Sequence, residues 1–144
     1  MTPEEYVQQK ATRSGSSFYY AFLFLPPPRR AAITAFYAFC REVDDIVDEV
    51  SDPGVAATKL AWWRGEVAAS FGGHPSHPVM QALMPHASGY GIAAAQLDAV
   101  TQEFVRKARA RAELALDACQ HGRYDDGIAE LKRLLRRGGF VIAD

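Results

Sequence analysis

Residues 37–48 read Tyr37-Ala-Phe-Cys-Arg41-Glu-Val-Asp44-Asp45-Ile-Val-Asp48. The steps from Tyr37 to Arg41, Asp44 and Asp48 are four, three and four residues, and on an α-helix such steps return to the same side. One side of the helix would then carry a phenol hydroxyl, a guanidinium and two carboxylates. Mg²⁺ prefers oxygen ligands, typically one or two carboxylates together with the phosphates of a substrate. The spacing therefore favours a helix that holds a metal and a diphosphate.

The residues just before this motif indicate a helix that is buried on its other sides. Segment 31–40 is rich in alanine and phenylalanine and contains no charged residue. Carboxylates with such apolar neighbours need a metal, an arginine or hydrogen-bond donors as partners. The alternative is a solvated acidic face on which Arg41 pairs with Asp44 or Asp45 across one turn. The spacing by itself leaves both interpretations open.

Three segments in order along the chain carry a resemblance to a known family. They read Ser14-Gly-Ser-Ser-Phe-Tyr-Tyr-Ala-Phe-Leu-Phe-Leu-Pro26, Ala35-Phe-Tyr-Ala-Phe-Cys-Arg-Glu-Val-Asp-Asp-Ile-Val-Asp48 and Asp52-Pro-Gly-Val-Ala-Ala-Thr-Lys-Leu-Ala-Trp-Trp-Arg-Gly-Glu66. Together they resemble the start of the squalene/phytoene synthase family, and within it the bacterial presqualene diphosphate synthases of hopanoid biosynthesis. The resemblance covers about residues 1–100 and is more specific than a single short acidic motif.

The resemblance implies an all-α fold, the helical bundle of isoprenoid synthases. It also implies a prenyltransferase that uses Mg²⁺ to condense two farnesyl diphosphates head to head into presqualene diphosphate. In the family the first Asp-rich motif binds the metals that hold a diphosphate, and this role carries over to Asp44 and Asp48. Asp45 lies inside the same motif and is a further candidate ligand.

The resemblance assigns four more residues to the active site. Arg41 matches an arginine that contacts the diphosphate, and Tyr37 matches a tyrosine that lines the site. These two are the candidate catalytic residues. Ser17 and Phe18 match a Ser-Phe pair at the mouth of the site, so they join Arg41 as candidate substrate-binding residues.

The sequence beyond Val100 departs from the family pattern. Members of the family are longer and carry a second Asp-rich motif on a later helix, whereas residues 101–144 contain no further Asp-x-x-x-Asp. We therefore expect residues 1–100 to form the amino-terminal half of a prenyl-synthase helical domain, and residues 101–144 to form a basic helical tail without an assigned role. The alternative function is a non-catalytic helical module that binds prenyl diphosphate or a partner subunit.

Composition limits the classes of partner. The chain has 144 residues, 49% of them hydrophobic, and a net charge of −1. This is enough for one domain with a core, and it gives no overall charge argument for binding nucleic acid. Basic residues nevertheless crowd the last third, where we interpret them as a solvated helix face, with contact to anionic lipid or phosphate as the alternative. These residues are Arg106, Lys107, Arg109, Arg111, Lys132, Arg133, Arg136 and Arg137.

Targeting signals are not evident in the sequence. Residues 1–10 are polar and acidic, and the longest apolar run, residues 18–28, is too short to span a membrane and contains prolines. Two cysteines, Cys40 and Cys119, do not make a disulfide framework. We expect a cytoplasmic location, with peripheral contact at the inner membrane face and self-association or a partner chain as further expectations.

Caps and breakers predict where the helices begin and end. Thr2 and Asp52 are candidate N-caps, each followed by a proline, and glycines mark the ends near residues 72 and 89. Prolines 26–28 predict a rigid turn. The helices are expected at about 3–13, 18–25, 29–50, 53–72, 78–88, 92–118 and 123–137.

Overall fold

A computed structural model describes residues 1–50 and 52–120 of the chain, together with Ala129 and Arg133. For Phe18, Ala112 and residues 115–120 the backbone alone is described. Within these ranges every element of regular structure is a helix, which confirms the all-α fold. The helices are α1 (Pro3–Arg13), α2 (Ser17–Phe22), α3 (Pro27–Glu49), α4 (Pro53–Phe71), α5 (Pro78–Ala87) and α6 (Ala94–Gln120).

The two predicted N-caps are present at α1 and α4. The Thr2 hydroxyl accepts a hydrogen bond from the Glu5 backbone N–H at 3.1 Å, and the Glu5 carboxylate accepts one from the Thr2 N–H at 2.7 Å. This reciprocal pair is a capping box. At α4 the Asp52 carboxylate accepts hydrogen bonds from the backbone N–H groups of Gly54 and Val55, at 2.7 and 3.2 Å. Both helix starts are therefore fixed by short-range sequence signals.

Several helix limits differ from the prediction by one to three residues. Helix α3 begins at Pro27, because a proline in the first turn lacks only an N–H that would have no partner inside the helix anyway. Helix α2 ends at Phe22, before the predicted limit of 25. Helix α6 begins at Ala94, where the Gln96 side chain accepts a hydrogen bond from the Ala93 N–H at 3.0 Å.

The two predicted segments on either side of residue 100 remain a prediction. Helix α6 runs through residue 100 without a break. The helix expected over 123–137 lies outside the described residues, apart from helical positions at Ala129 and Arg133.

The chain divides into two compact units, and the first contains residues Met1–Glu42 and Trp63–Val100. Helix α1 packs against α5 within it. The Phe39 ring is fully buried and meets the Trp63 ring edge to face, with 5.5 Å between centroids. Other side chains with almost no exposed surface here are Val67, Val79, Met80, Leu83 and Leu97. The Ala- and Phe-rich part of α3 is therefore a core segment, as its composition predicted.

The second unit contains residues Val43–Trp62 and Thr101–Asp144. Its described core is small and includes Val43, Ile46, Val47 and Leu60. No helix among the described residues is both long enough and apolar enough to cross a membrane.

Candidate functional site

Helix α3 carries five of the seven predicted site residues. They are Tyr37, Arg41, Asp44, Asp45 and Asp48, and each is half-buried. The helical spacing on which the prediction rested is therefore real, and the acidic side chains are partly withdrawn from water. Their metal-binding and catalytic roles remain predictions.

Tyr37 is held in place by two neighbours. Its hydroxyl donates a hydrogen bond to the Ser14 Oγ at 2.9 Å, and Ser14 in turn donates to the Ala11 carbonyl at 2.7 Å. The Phe22 ring meets the Tyr37 ring nearly at right angles, with 5.6 Å between centroids. Sequence reasoning did not assign Ser14 a role, although its position directly after α1 is a signal for a capping side chain.

Asp48 has an arginine partner that the sequence did not reveal. Its Oδ1 lies 3.1 Å from Nη1 of Arg111 on α6, 63 residues further along the chain. The same guanidinium nitrogen donates to the Val47 carbonyl oxygen at 3.3 Å. Arg111 belongs to the basic stretch that we interpreted as a solvated face, so for this residue the interpretation was wrong. The long separation in sequence explains why no local pattern indicated the contact.

The remaining basic residues described on α6 agree better with a solvated face. Arg106 is exposed and pairs with Glu103 one turn earlier, at 2.5 Å. This hydrogen bond lowers the pKa of Glu103 and raises that of Arg106. The Lys107 ammonium lies 4.8 Å from the centre of the Phe104 ring. Peripheral membrane contact through this stretch stays a prediction.

Ser17 and Phe18 lie in the first turn of α2. The Ser17 side chain is exposed, so a ligand can reach it. For Phe18 the structure places the backbone only. Their assignment to the mouth of a substrate site stays a prediction.

The donor set on α3 suits a metal that a substrate helps to bind. Nowhere in residues 1–50 and 52–120 do three or more His, Cys, Asp or Glu side chains form a metal-binding group. Asp44 and Asp48 provide two carboxylates on one helix, which matches the share that proteins usually contribute to Mg²⁺ beside substrate phosphates. A carboxylate has about four lone pairs, so the contact of Arg111 with one oxygen of Asp48 does not exhaust its capacity. The residues therefore fit Mg²⁺ bound together with diphosphate.

An apolar groove lies in the first unit, beside the amino-terminal part of α3. Its volume is about 580 Å³, within the range of small-molecule sites. Hydrophobic side chains make up most of the lining and Arg29 adds one charge; they include Ile33, Phe36, Tyr90, Ile92 and Val100. Phe36 is thus in a position to contact an apolar ligand, whereas the buried Phe39 serves core packing.

A buried carboxylate, Glu66, joins the end of α4 to the start of α5. Its Oε1 accepts hydrogen bonds from the backbone N–H groups of Ser76 and His77, both at 2.8 Å, and its Oε2 accepts one from the Ser76 hydroxyl at 2.5 Å. Burial raises the pKa of Glu66, but the hydrogen bonds from His77 and Ser76 outweigh it, so its pKa lies below the usual range. This acceptor stabilises the loop ahead of α5.

His77 is the N-cap of α5 and was not assigned a role from the sequence. Its Nδ1 accepts a hydrogen bond from the Val79 backbone N–H at 3.2 Å, which requires that this nitrogen carries no proton. The ring lies 4.6 Å from the Trp63 ring and 5.5 Å from the Tyr6 ring. Burial lowers the pKa of His77; the negative charges of Glu42 and Glu66 raise it by less, so the pKa stays below its usual value. Histidine is a rare cap, so the loop composition alone did not indicate it.

Comparison with known proteins gives one family match. The family model for squalene/phytoene synthase matches residues 11–133. No solved structure matches significantly.

Individual relatives agree with the family match. A presqualene diphosphate synthase from Rhodopseudomonas palustris is 42% identical over 74 residues, which is 51% of this chain and 26% of the relative. One from Zymomonas mobilis is 41% identical over 61 residues, 42% of this chain and 21% of the relative. A phytoene synthase from Arthrospira platensis is 31% identical over 80 residues, 56% of this chain and 26% of the relative. The chain thus covers about a quarter of the length of these relatives.

Proposed function

Because this chain belongs to the squalene/phytoene synthase family, we propose that it serves the head-to-head condensation of two farnesyl diphosphates to presqualene diphosphate. The family consists of prenyltransferase-type enzymes. The observation that carries the proposal is the shared helix α3, on which Tyr37, Arg41, Asp44 and Asp48 are all half-buried. The higher identity to presqualene diphosphate synthases than to the phytoene synthase favours farnesyl diphosphate as substrate and a place in hopanoid biosynthesis.

The proposed chemistry begins with the ionisation of an allylic diphosphate into a carbocation and a diphosphate anion. Mg²⁺ held by Asp44 and Asp48 would supply positive charge to the departing diphosphate. Arg41 binds diphosphate oxygens, for which a planar guanidinium offers paired donors. The two aspartates are metal ligands in this proposal and take no part in proton transfer. Asp45, within the same motif, is a further candidate ligand.

Aromatic and apolar surfaces supply the rest of the environment. The face of an aromatic ring attracts a cation, and the Tyr37 ring is fixed by Ser14 and Phe22. The apolar groove beside Phe36 has the chemical character that a prenyl chain requires. Ser17 and Phe18 are proposed to contact the substrate as it enters.

The test is Mg²⁺-dependent protection of the whole chain by a non-reacting analogue, farnesyl thiodiphosphate. Thermal unfolding is followed with and without Mg²⁺ for the wild type, for Asp44→Asn with Asp48→Asn, and for Glu49→Gln as a control. Glu49 is an exposed carboxylate on the same helix. The wild type and the control should be stabilised only when both Mg²⁺ and the analogue are present, and the double variant should not. Equal stabilisation of all three would refute the metal role.

A second candidate function is binding of prenyl diphosphate without coupling. It is favoured by residues 101–144, which contain no second Asp-x-x-x-Asp. Coupling requires two diphosphates to be positioned together, so we expect the 144-residue chain by itself to bind substrate and form little product. Incubation with farnesyl diphosphate, Mg²⁺ and a reductant, followed by extraction, separates the candidates. Size-exclusion chromatography of the same sample shows whether the active species is a monomer, a self-associated form or a complex with a partner.

A further inference from the structure

Arg111 differs from the other described basic residues of α6 in the partner that it meets. Arg106 pairs with Glu103 of its own helix, and Lys107 lies over Phe104. Arg111 instead contacts α3 at two atoms, with its Nη1 3.1 Å from Asp48 Oδ1 and 3.3 Å from the Val47 carbonyl oxygen.

The carbonyl contact explains why this guanidinium stays at the end of α3. Helix α3 ends at Glu49, so the Val47 carbonyl is one of the last four, which have no partner within the helix. Cations near a helix C-terminus are also favoured by the helix dipole. The side chains of Arg111 and Asp48 are nevertheless 33% and 42% exposed, so solvent screens their pairing. The two contacts place Arg111 beside Asp48, and a solvent-exposed ion pair of this kind contributes little to stability, so another acceptor can replace Asp48.

Asp48 is one of the two carboxylates that we propose as metal ligands, and in this structure it contacts the positively charged guanidinium of Arg111. A divalent ion that approaches the same carboxylate repels the guanidinium. A diphosphate bound with that ion offers Arg111 new acceptors, and a planar guanidinium matches phosphate oxygens better than it matches one carboxylate oxygen.

We propose that Arg111 is a diphosphate-binding residue that pairs with Asp48 as long as no substrate is bound and moves to the diphosphate when metal and substrate bind. The proposal rests on the function proposed above, in which Asp48 is a metal ligand. No covalent bond changes in this exchange, since the guanidinium stays charged and trades one anionic acceptor for another. In the absence of substrate, Arg111 competes with the metal for Asp48; in its presence, Arg111 adds to diphosphate affinity.

Two binding measurements on the full chain test the exchange. Mn²⁺ affinity is measured by electron paramagnetic resonance without diphosphate, and inorganic diphosphate affinity is measured by calorimetry in excess Mg²⁺. The variants are Arg111→Gln and Arg109→Gln. Arg109 is an exposed arginine two residues earlier on the same helix, so the control removes the same charge.

Arg111→Gln should bind Mn²⁺ alone about threefold or more tightly than wild type, because a competing cation is gone. It should bind diphosphate about tenfold more weakly, which is near the low end for one charged hydrogen bond. Arg109→Gln should match the wild type within about twofold in both measurements, as expected for a solvated charge. The opposite signs of the two effects separate exchange from a general loss of structure.

Other outcomes overturn the proposal in distinguishable ways. If wild-type binding is lost in Asp48→Asn but Arg111→Gln behaves like Arg109→Gln, the metal site stands and Arg111 has no part in it. If Arg111→Gln weakens both ligands and lowers the melting temperature, Arg111 is only a structural cap of α3. If Asp48→Asn changes neither affinity, the proposed function fails and this inference with it. Should Arg111→Gln not fold, Arg111→Lys decides, since it retains the charge and should lose diphosphate affinity while Mn²⁺ affinity stays unchanged.

Discussion

Replacement of Glu66 by alanine is expected to destabilise the fold by about 2–4 kcal/mol. Glu66 is only 6% exposed and accepts hydrogen bonds from the backbone N–H groups of Ser76 and His77. A hydrogen bond to a charged group contributes roughly 1.5–3 kcal/mol, so two would contribute roughly 3–6 kcal/mol. The loop is only part-buried, and water that enters after the replacement recovers some of this loss.

Urea unfolding followed by far-ultraviolet circular dichroism measures the effect. Ser76→Ala removes one hydrogen bond to the same carboxylate and keeps both backbone contacts; because Ser76 is exposed, solvent reduces the loss to about 0.5–1.5 kcal/mol. Glu113→Ala removes an exposed glutamate from α6 and should change stability by less than about 0.5 kcal/mol. If Glu66→Ala costs no more than Glu113→Ala, the carboxylate does not hold the α4–α5 connection.

The pH dependence gives a second check on Glu66. The pKa of Glu66 is lower in the folded state than in the unfolded state. The contribution of its ionised form to the free energy of unfolding is therefore complete above the unfolded pKa, about 4.3. It is lost as the pH falls through the lower folded pKa. The stability difference between wild type and Glu66→Gln should therefore shrink in this acid range, and a difference independent of pH between 3 and 7 would contradict the assignment.

Three further predictions concern His77, Arg41 and Phe39. Burial lowers the pKa of His77 in the folded state, so the unfolded chain takes up the proton at a higher pH than the folded chain does. Wild-type stability should therefore fall as the pH drops below about 6.5. His77→Asn keeps a capping acceptor and should flatten this pH dependence in urea titrations between pH 5 and 7. Arg41→Lys should weaken binding of inorganic diphosphate with Mg²⁺ by roughly 1–3 kcal/mol in calorimetry and leave helix content unchanged, whereas an unfolded variant would show that Arg41 is a structural ion-pair partner. Phe39→Ala should cost about 3–5 kcal/mol in urea unfolding, while Phe24→Ala, at a side chain 90% exposed, should cost less than about 0.5 kcal/mol, and equal losses would contradict the burial of Phe39.

Local signals in the sequence accounted for most of the described fold. The caps at Thr2 and Asp52 and the spacing of the acidic motif act over three or four residues, so they can be read without a structure. Adjacent residues of a helix point to different sides, and on α4 Trp62 is half exposed while Trp63 is buried. Helix α6 begins two residues later than predicted, at a point where the Gln96 side chain satisfies the Ala93 N–H, which has no partner within the helix.

Contacts between distant parts of the chain were beyond the reach of the sequence. The pairing of Arg111 with Asp48 spans 63 residues, and that of Tyr37 with Ser14 spans 23. Such pairs depend on how helices pack, which periodicity within one helix does not encode. His77 was missed for a related reason, since its ring becomes significant only when Trp63 and Tyr6 lie beside it.

The close contact of the His77 ring with the Trp63 ring, tilted at 58°, also gives the protein an internal optical reporter. An imidazolium accepts an electron from an excited indole more readily than a neutral imidazole does, so protonation of His77 should quench the emission of Trp63. Trp62 is half exposed and emits at longer wavelength than the buried Trp63, so the emission of the two tryptophans differs in wavelength. Steady fluorescence recorded during a mild acid titration can thus follow the start of α5 alone, in an unlabelled and otherwise unaltered chain.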